Sequence, residues 1–395
     1  MMEPSAIRAS SPTSCPPQYA VSTPLPAAPL PDTLTYRKAE ERTGSYTDGA
    51  RYTEFALSAS TDSAVFANFR QIYYRRRYAG IENDGRMRWN SLEYADHVHH
   101  ALGKVGRADL LERALPLISR LDTIGNGLTF QLTSSPHRVS GILMRYLGKV
   151  ADVEQLFGTG ADEHSLDGMH LVEIGVGYGG FAAVLLSIHP GIASYTLVDL
   201  PEVLNIAQRY LGEVKAAQKR PSRFPRLKFL SAAPCGVGKG GELATLFEPR
   251  KEGYDLAISM YAFAEVPQAV RQAYFEKIIS RSARGYFSDH TQQKNTSALP
   301  TMLLSAAQAE PSSFKPNLSR LLVFRDFMSG RSAYERSEAQ VGWGVERDYY
   351  PELLEQMRQS TRRPWTYHPS LRKLTLANHV PDALGGMERD GAGRS

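Results

Sequence analysis

The chain has 395 residues, 42% apolar and 22% charged, with a net charge of +5; it exceeds one average domain and can bury a large core. Its two cysteines, Cys15 and Cys235, are too few for a disulfide framework and form no CxxC pair. No apolar run reaches the roughly 20 residues of a membrane span, and no apolar h-region marks a secretory signal, so a cytoplasmic protein without a membrane span is the expectation.

Residues 1–50 open on a stretch rich in Pro, Ser and Ala. It cannot bury enough apolar surface to offset chain entropy, and a disordered tail is expected. From about residue 51 to 160 the pattern is mostly helical. Val65, Phe66, Phe69, Ile72 and Tyr73 recur at helical spacing within 64–78. Residues 110–121 predict a second helix interrupted by Pro116. Pro136 is read as the first turn of a third, over 137–146. Two clusters here attract attention and are discounted. Glu93, His97 and His100 share a helical face able to hold a metal, but their order matches no defined metal motif, and a solvated polar face is preferred; no metal is expected. The basic, aromatic run Arg70 to Arg77 has the composition of a single-strand binder but no second basic patch, so no nucleic-acid partner is expected.

From residue 161 to 380 strand and helix signals alternate. Strands are predicted over 171–174, 195–198, 227–230, 256–259 and 285–288, and helices over 181–188, 203–210 and 268–279. This alternation predicts an α/β fold: a doubly wound, mostly parallel Rossmann-like sheet with a helical N-terminal region beside it. Ligand then sits beyond the carboxyl ends of the strands. Residues 381–395 read as a flexible tail.

The chemistry concentrates in the first two strands. The run from Leu171 ends in Glu173-Ile-Gly-Val-Gly-Tyr-Gly-Gly180, and the run from Tyr195 ends at Asp199. Glycines let backbone approach a ligand, and a strand-end acid accepts hydrogen bonds from ribose hydroxyls. Two cofactors fit. Gly175, Gly177 and Gly180 satisfy the dinucleotide pattern G-x-G-x-x-G. Glu173, Gly175, Gly177 and Gly179 satisfy E-x-G-x-G-x-G. A carboxylate so close to the turn repels pyrophosphate, which wants bare amides at a helix N-terminus, but it tolerates a sulfonium cation. The second pattern resembles motif I of the class I S-adenosylmethionine (SAM)-dependent methyltransferases, and the methyl donor is the expected cofactor.

A closer resemblance is to a bacterial family of sugar O-methyltransferases, over about residues 66–287. It rests on Asp122-Thr-Ile-Gly-Asn126 followed by Ser135-Pro136, on Glu173–Gly180, on Tyr195-Thr-Leu-Val-Asp-Leu-Pro-Glu-Val203, and on Tyr254 to Glu265 with Arg284-Gly-Tyr286. Val176 replaces a glycine of that family, Met260 an asparagine and Gly127 a proline. The resemblance implies SAM binding by Glu173, Gly175, Gly177, Tyr178, Gly179, Asp199 and Leu200. It places Ser231 and Ala232 at the adenine, and Ser259, Met260 and Tyr261 near the methyl group. Tyr261 and Phe263 are aromatic candidates for the sulfonium or the sugar face. It implies an acceptor that is a sugar, a nucleotide-sugar or a glycan. Glu265 and His290 are the candidate bases, since a sugar hydroxyl must lose its proton as it attacks. His137 and Arg138 would steer an anionic acceptor. A homo-oligomer is compatible with the sequence.

Two other classes stay open. A nicotinamide oxidoreductase would use the same turn, but the Tyr-x-x-x-Lys spacing is absent at Tyr274 and Lys277. A non-catalytic binder would be signalled by a degraded turn or a lost acid, and both are intact.

Overall fold

The computed structural model describes residues 49–71, 95–96, 98–103, 106–133, 135–157, 166–218, 224–231, 253–260, 262–263, 266, 268–290, 298–309, 315–318, 322–324 and 338–344. Its first helices are α1 (Gly49–Thr61), α2 (Ser63–Ala67) and α3 (Ala108–Leu121). A small hairpin, β1 (Thr129–Gln131) with β2 (Arg138–Ser140), leads into α4 (Gly141–Phe157). Then come β3 (His170–Ile174), α5 (Gly180–Ile188), β4 (Ser194–Asp199), α6 (Pro201–Ala216) and β5 (Arg226–Ser231). The second half holds β6 (Tyr254–Met260), α7 (Gln268–Lys277), β7 (Ser282–His290), α8 (Ala298–Ala309), β8 (Leu322–Phe324) and β9 (Glu338–Trp343).

The main sheet has the order β5-β4-β3-β6-β7-β9-β8. Strands β3 to β7 pair in parallel, and β9 and β8 close one edge antiparallel. The strands are near-continuous apolar runs because both faces are covered. Leu171, Tyr195, Leu197, Ile258 and Tyr286 face a core shared with the N-terminal helices and α4–α6. Val172, Ile174, Val198, Ala257 and Phe287 face a second core with α7, α8 and Trp343. This is the doubly wound α/β architecture expected from the alternation. The chain winds from β3 outward to β5, then returns to β6 on the other side of β3. The crevice between β3 and β6, at their carboxyl ends, is therefore the topological switch point where such sheets bind ligands.

Each of the five expected strands lies inside an observed one. Three local expectations change. Pro116 does not interrupt α3. Its ring is exposed, and so is Glu112, whose carbonyl the missing N–H leaves to water. Residues 137–140 do not begin a helix. Arg138-Val-Ser140 pairs with β1, and α4 starts one residue later, where Ser140 Oγ accepts the N–H of Leu143 at 3.3 Å as an N-cap. The helix predicted over 64–78 breaks at Asn68, a cap with φ −129°; its residues beyond 71 lie outside the described residues.

Strands β8 and β9 carried no motif. Gly285 makes room for β9: a Cβ there would stand 1.9 Å from the Trp343 ring. Among the described residues, no helix is long and apolar enough to cross a membrane.

Candidate functional site

The loop after β3 is built on glycines because its backbone turns left-handed at alternate residues. Gly175, Gly177 and Gly179 have φ of 75°, 53° and 84°, a region costly for any residue with a Cβ. Gly180 is needed for a different reason: its Cβ would lie 2.6 Å from the Tyr178 ring and 2.7 Å from Tyr146. Hydrogen bonds hold the loop in place. Gly175 N–H donates to Val198 O at 2.8 Å, and Gly179 N–H to Val176 O at 2.9 Å.

Asp199 ends β4 beside this loop. One carboxylate oxygen accepts Gly177 N–H at 3.1 Å, and the other accepts Leu200 N–H at 2.7 Å. Burial pushes its pKa up to about 6, although bonds from the Leu200, Gly177 and Val176 amides pull it down in part. Leu200 is the N-cap residue of α6, with Pro201 in the first turn. Ser231, the last residue of β5, stands opposite Asp199 across the parallel pair. Its Oγ is buried and has no hydrogen-bond partner among the described residues.

Glu173 lies beneath the loop, 1% exposed. Its carboxyl accepts the Tyr195 hydroxyl at 2.8 Å. Burial pushes its pKa up to about 8; the Tyr195 bond opposes the rise and the Asp199 charge adds to it. Glu173 is thus held toward the neutral acid at pH 7, so the charge expected at this position to repel pyrophosphate and favour a sulfonium is not supplied by it.

The remaining residues of the expected set separate. Tyr178 packs into the core against Phe69 and Tyr210, with ring centroids 5.4 and 5.2 Å away, and the Arg70 guanidinium lies 5.8 Å above it. Ser259 is fully buried and donates to Ile174 O at 3.0 Å, pinning β6 to the end of β3 at the switch point. Met260 ends β6 one residue further. Phe263 is core, edge-on to Phe287 at 5.3 Å. His290 is the last residue of β7, paired in register with Glu338. Arg138 donates to Thr129 O within the hairpin at 3.0 Å. Glu265, Ala232, Tyr261, Glu93 and His97 lie outside the described residues. Among the described residues no cluster of His, Cys, Asp and Glu is arranged to hold a metal.

One group beside the site was not foreseen. Arg70 is buried and donates to Asp122 Oδ1 at 2.6 Å, Ser140 Oγ at 2.9 Å and Leu121 O at 3.2 Å. Asp122 Oδ2 in turn accepts Ser140 N–H at 2.7 Å. This ties α3, the start of α4 and the Phe69–Arg70 segment into one unit under Tyr178. The signal was present in Asp122-Thr-Ile-Gly-Asn126, where Asn126 takes a φ of 55° and Gly125 lies against the Phe69 ring.

No protein-family model and no curated protein matches the chain. Several solved structures are similar in framework. The methyltransferase domain of bacterial CtHen1 is 15% identical over 52% of this chain and 99% of that one, with a TM-score of 0.35. Magnesium protoporphyrin IX methyltransferase of Synechocystis PCC 6803, solved with bound SAM, is 15% identical over 52% and 84%, with a TM-score of 0.33. The pyocyanin biosynthetic protein PhzM is 12% identical over 52% and 58%, with a TM-score of 0.29.

Proposed function

We propose that this protein is a SAM-dependent O-methyltransferase acting on a sugar hydroxyl, in a free sugar, a nucleotide-sugar or a glycan. The observation that carries the cofactor reading is the pairing of the glycine loop with Asp199. The loop puts backbone rather than side chains at the switch point, and the Asp199 carboxylate keeps acceptor capacity beyond the amides it already accepts. The orphaned Ser231 Oγ beside it is a further polar atom waiting for a partner. A nucleoside fits this donor set, with ribose hydroxyls at Asp199 and a polar base edge at Ser231. A dinucleotide fits poorly, because the Gly177 amide is already committed to a carboxylate and pyrophosphate needs free amides.

When bound, SAM supplies an electrophilic methyl group. The chain must align an acceptor oxygen with it and receive that oxygen's proton. His290, at the carboxyl end of β7, and Glu265, past the end of β6, are the proposed bases. The sugar assignment is supported by the Asp-Leu-Pro-Glu and Tyr-Ala-Phe-Ala-Glu segments of the sequence.

Calorimetric titration with SAM, S-adenosylhomocysteine, NAD and NADP tests the cofactor. Binding of the first two only supports the reading; binding of a nicotinamide dinucleotide instead refutes it. Transfer of labelled methyl from SAM to methyl glycosides and nucleotide-sugars then tests the acceptor.

A further inference from the structure

Beyond the glycine loop, at the same level of the sheet, lies a pair of polar side chains with no hydrogen-bond partner among the described residues. Ser288 on β7 and Gln340 on β9 are register partners across an antiparallel ladder. Both residues are 0% exposed. Among the described residues, Ser288 Oγ, Gln340 Oε1 and Gln340 Nε2 all lack a hydrogen-bond partner. Buried polar side chains are nearly always satisfied, and each that is not demands an explanation. A carboxamide and a hydroxyl buried side by side each have hydrogen-bonding capacity that no described residue takes up.

Their position supplies the explanation. Ile174, Ser259, Phe287 and Val341 form one row across the sheet, and Met260, Ser288 and Gln340 form the next. The second row is therefore level with Gly175, the first residue of the cofactor loop. Strands lie about 4.8 Å apart, which places Ser288 roughly 10 Å along the sheet from that loop and Gln340 one strand further. One step deeper on β7, Tyr286 donates to Asp152 on α4 at 2.5 Å, and Gly342 stands opposite it without a side chain.

We infer that Ser288 and Gln340 form the acceptor-binding pair, and that they take an uncharged ligand presenting neighbouring hydroxyl groups. The inference rests on the methyltransferase reading. A serine hydroxyl and a glutamine carboxamide each donate and accept, which matches adjacent hydroxyls that do the same. No ionisable side chain stands in the Met260–Ser288–Gln340 row, and the group that Tyr286 bonds one step deeper, Asp152, is an acid, which disfavours a phosphate or carboxylate there. Gln340 reads two polar atoms of the ligand and Ser288 a third.

The test uses the full chain with Gln340→Met and, as the smaller change, Ser288→Ala. Without ligand, both variants should melt at the wild-type temperature or about 2–4 °C above it, since each removes an unsatisfied group. S-adenosylhomocysteine affinity should stay within about twofold. The acceptor probes are methyl glucoside, galactoside, mannoside and rhamnoside, against glucose 6-phosphate and glucuronate as charged counterparts. Wild type should bind at least one uncharged glycoside in preference to the charged probes, and each variant should weaken that binding about tenfold or more. A lowered melting temperature in both variants would mean the polar atoms hold the fold, and would overturn the inference. So would unchanged glycoside binding in the variants, preference for the charged probes, or binding of no uncharged glycoside. Failure of wild type to bind SAM or S-adenosylhomocysteine would remove the methyltransferase reading instead; the glycoside titration would still decide the role of the pair.

Discussion

Replacing Glu173 by glutamine isolates the proton that this site carries. The Glu173 carboxyl has an ordinary value of 4.5, and burial raises it to about 8 in the fold. Between those values the folded chain binds a proton that the unfolded chain does not. The stabilisation from that proton is complete below about pH 4.5 and is lost as pH rises through 8. At about 1.4 kcal/mol per pH unit, the loss between pH 5 and pH 9 is roughly 4 kcal/mol. Glutamine keeps an oxygen for the Tyr195 hydroxyl and has no proton to bind. Glu173→Gln should therefore be closest to, or below, wild type at pH 5 and gain about 4 kcal/mol on it by pH 9. Urea unfolding at one-unit pH steps measures this. Stability curves that run parallel across that range would show that Glu173 is ionised in the fold, and the account of a neutral acid beneath the loop would be wrong.

Asp199→Asn should weaken SAM binding by about 1.5–3 kcal/mol, the worth of a hydrogen bond to a charged group; unchanged affinity in calorimetry would remove Asp199 from the site. Gly175→Ala combines a left-handed backbone with a Cβ 1.9 Å from that of Ala262, and should lose cofactor binding together with at least about 2 kcal/mol of stability. Asp122→Ala strands the buried Arg70 charge and should cost about 3–5 kcal/mol in denaturant unfolding, more than the paired change with Arg70→Met. Glu265→Gln and His290→Ala should lower turnover while leaving cofactor affinity near wild type; normal turnover in both would require another base.

The parallel half of the sheet was legible because its signals are local. Each strand is an apolar run bounded by a turn, and the glycine spacing records backbone angles directly. Of the two glycine patterns, the left-handed angles fall on Gly175, Gly177 and Gly179, the E-x-G-x-G-x-G positions. What the sequence hid depends on distant partners. Whether Tyr178 meets a ligand or the core is decided by Phe69, more than a hundred residues earlier. Ser259 reads as a candidate contact until Ile174 O takes its hydroxyl. The β1–β2 hairpin is only three residues per strand, too short for alternation to outweigh the helix signal of Pro136. Strand β9 is recruited to β7 across about fifty intervening residues, so no short-range pattern marks Gln340.

The aromatic contact of Phe69 with Tyr178 and Tyr210 makes the amino-terminal helices inseparable from the sheet. Their apolar side chains belong to the same core as Leu171, Tyr195 and Tyr286. A shortened chain beginning at β3 would keep α5 and α6 on that face but lose α4 and the helices before it, exposing the apolar side chains they cover, so the α/β half is not a detachable module. The same contact constrains divergence: a substitution that reshapes the amino-terminal helices around Phe69 also presses on the glycine turn at Tyr178. The shape of the helical region and the shape of the turn must therefore drift together.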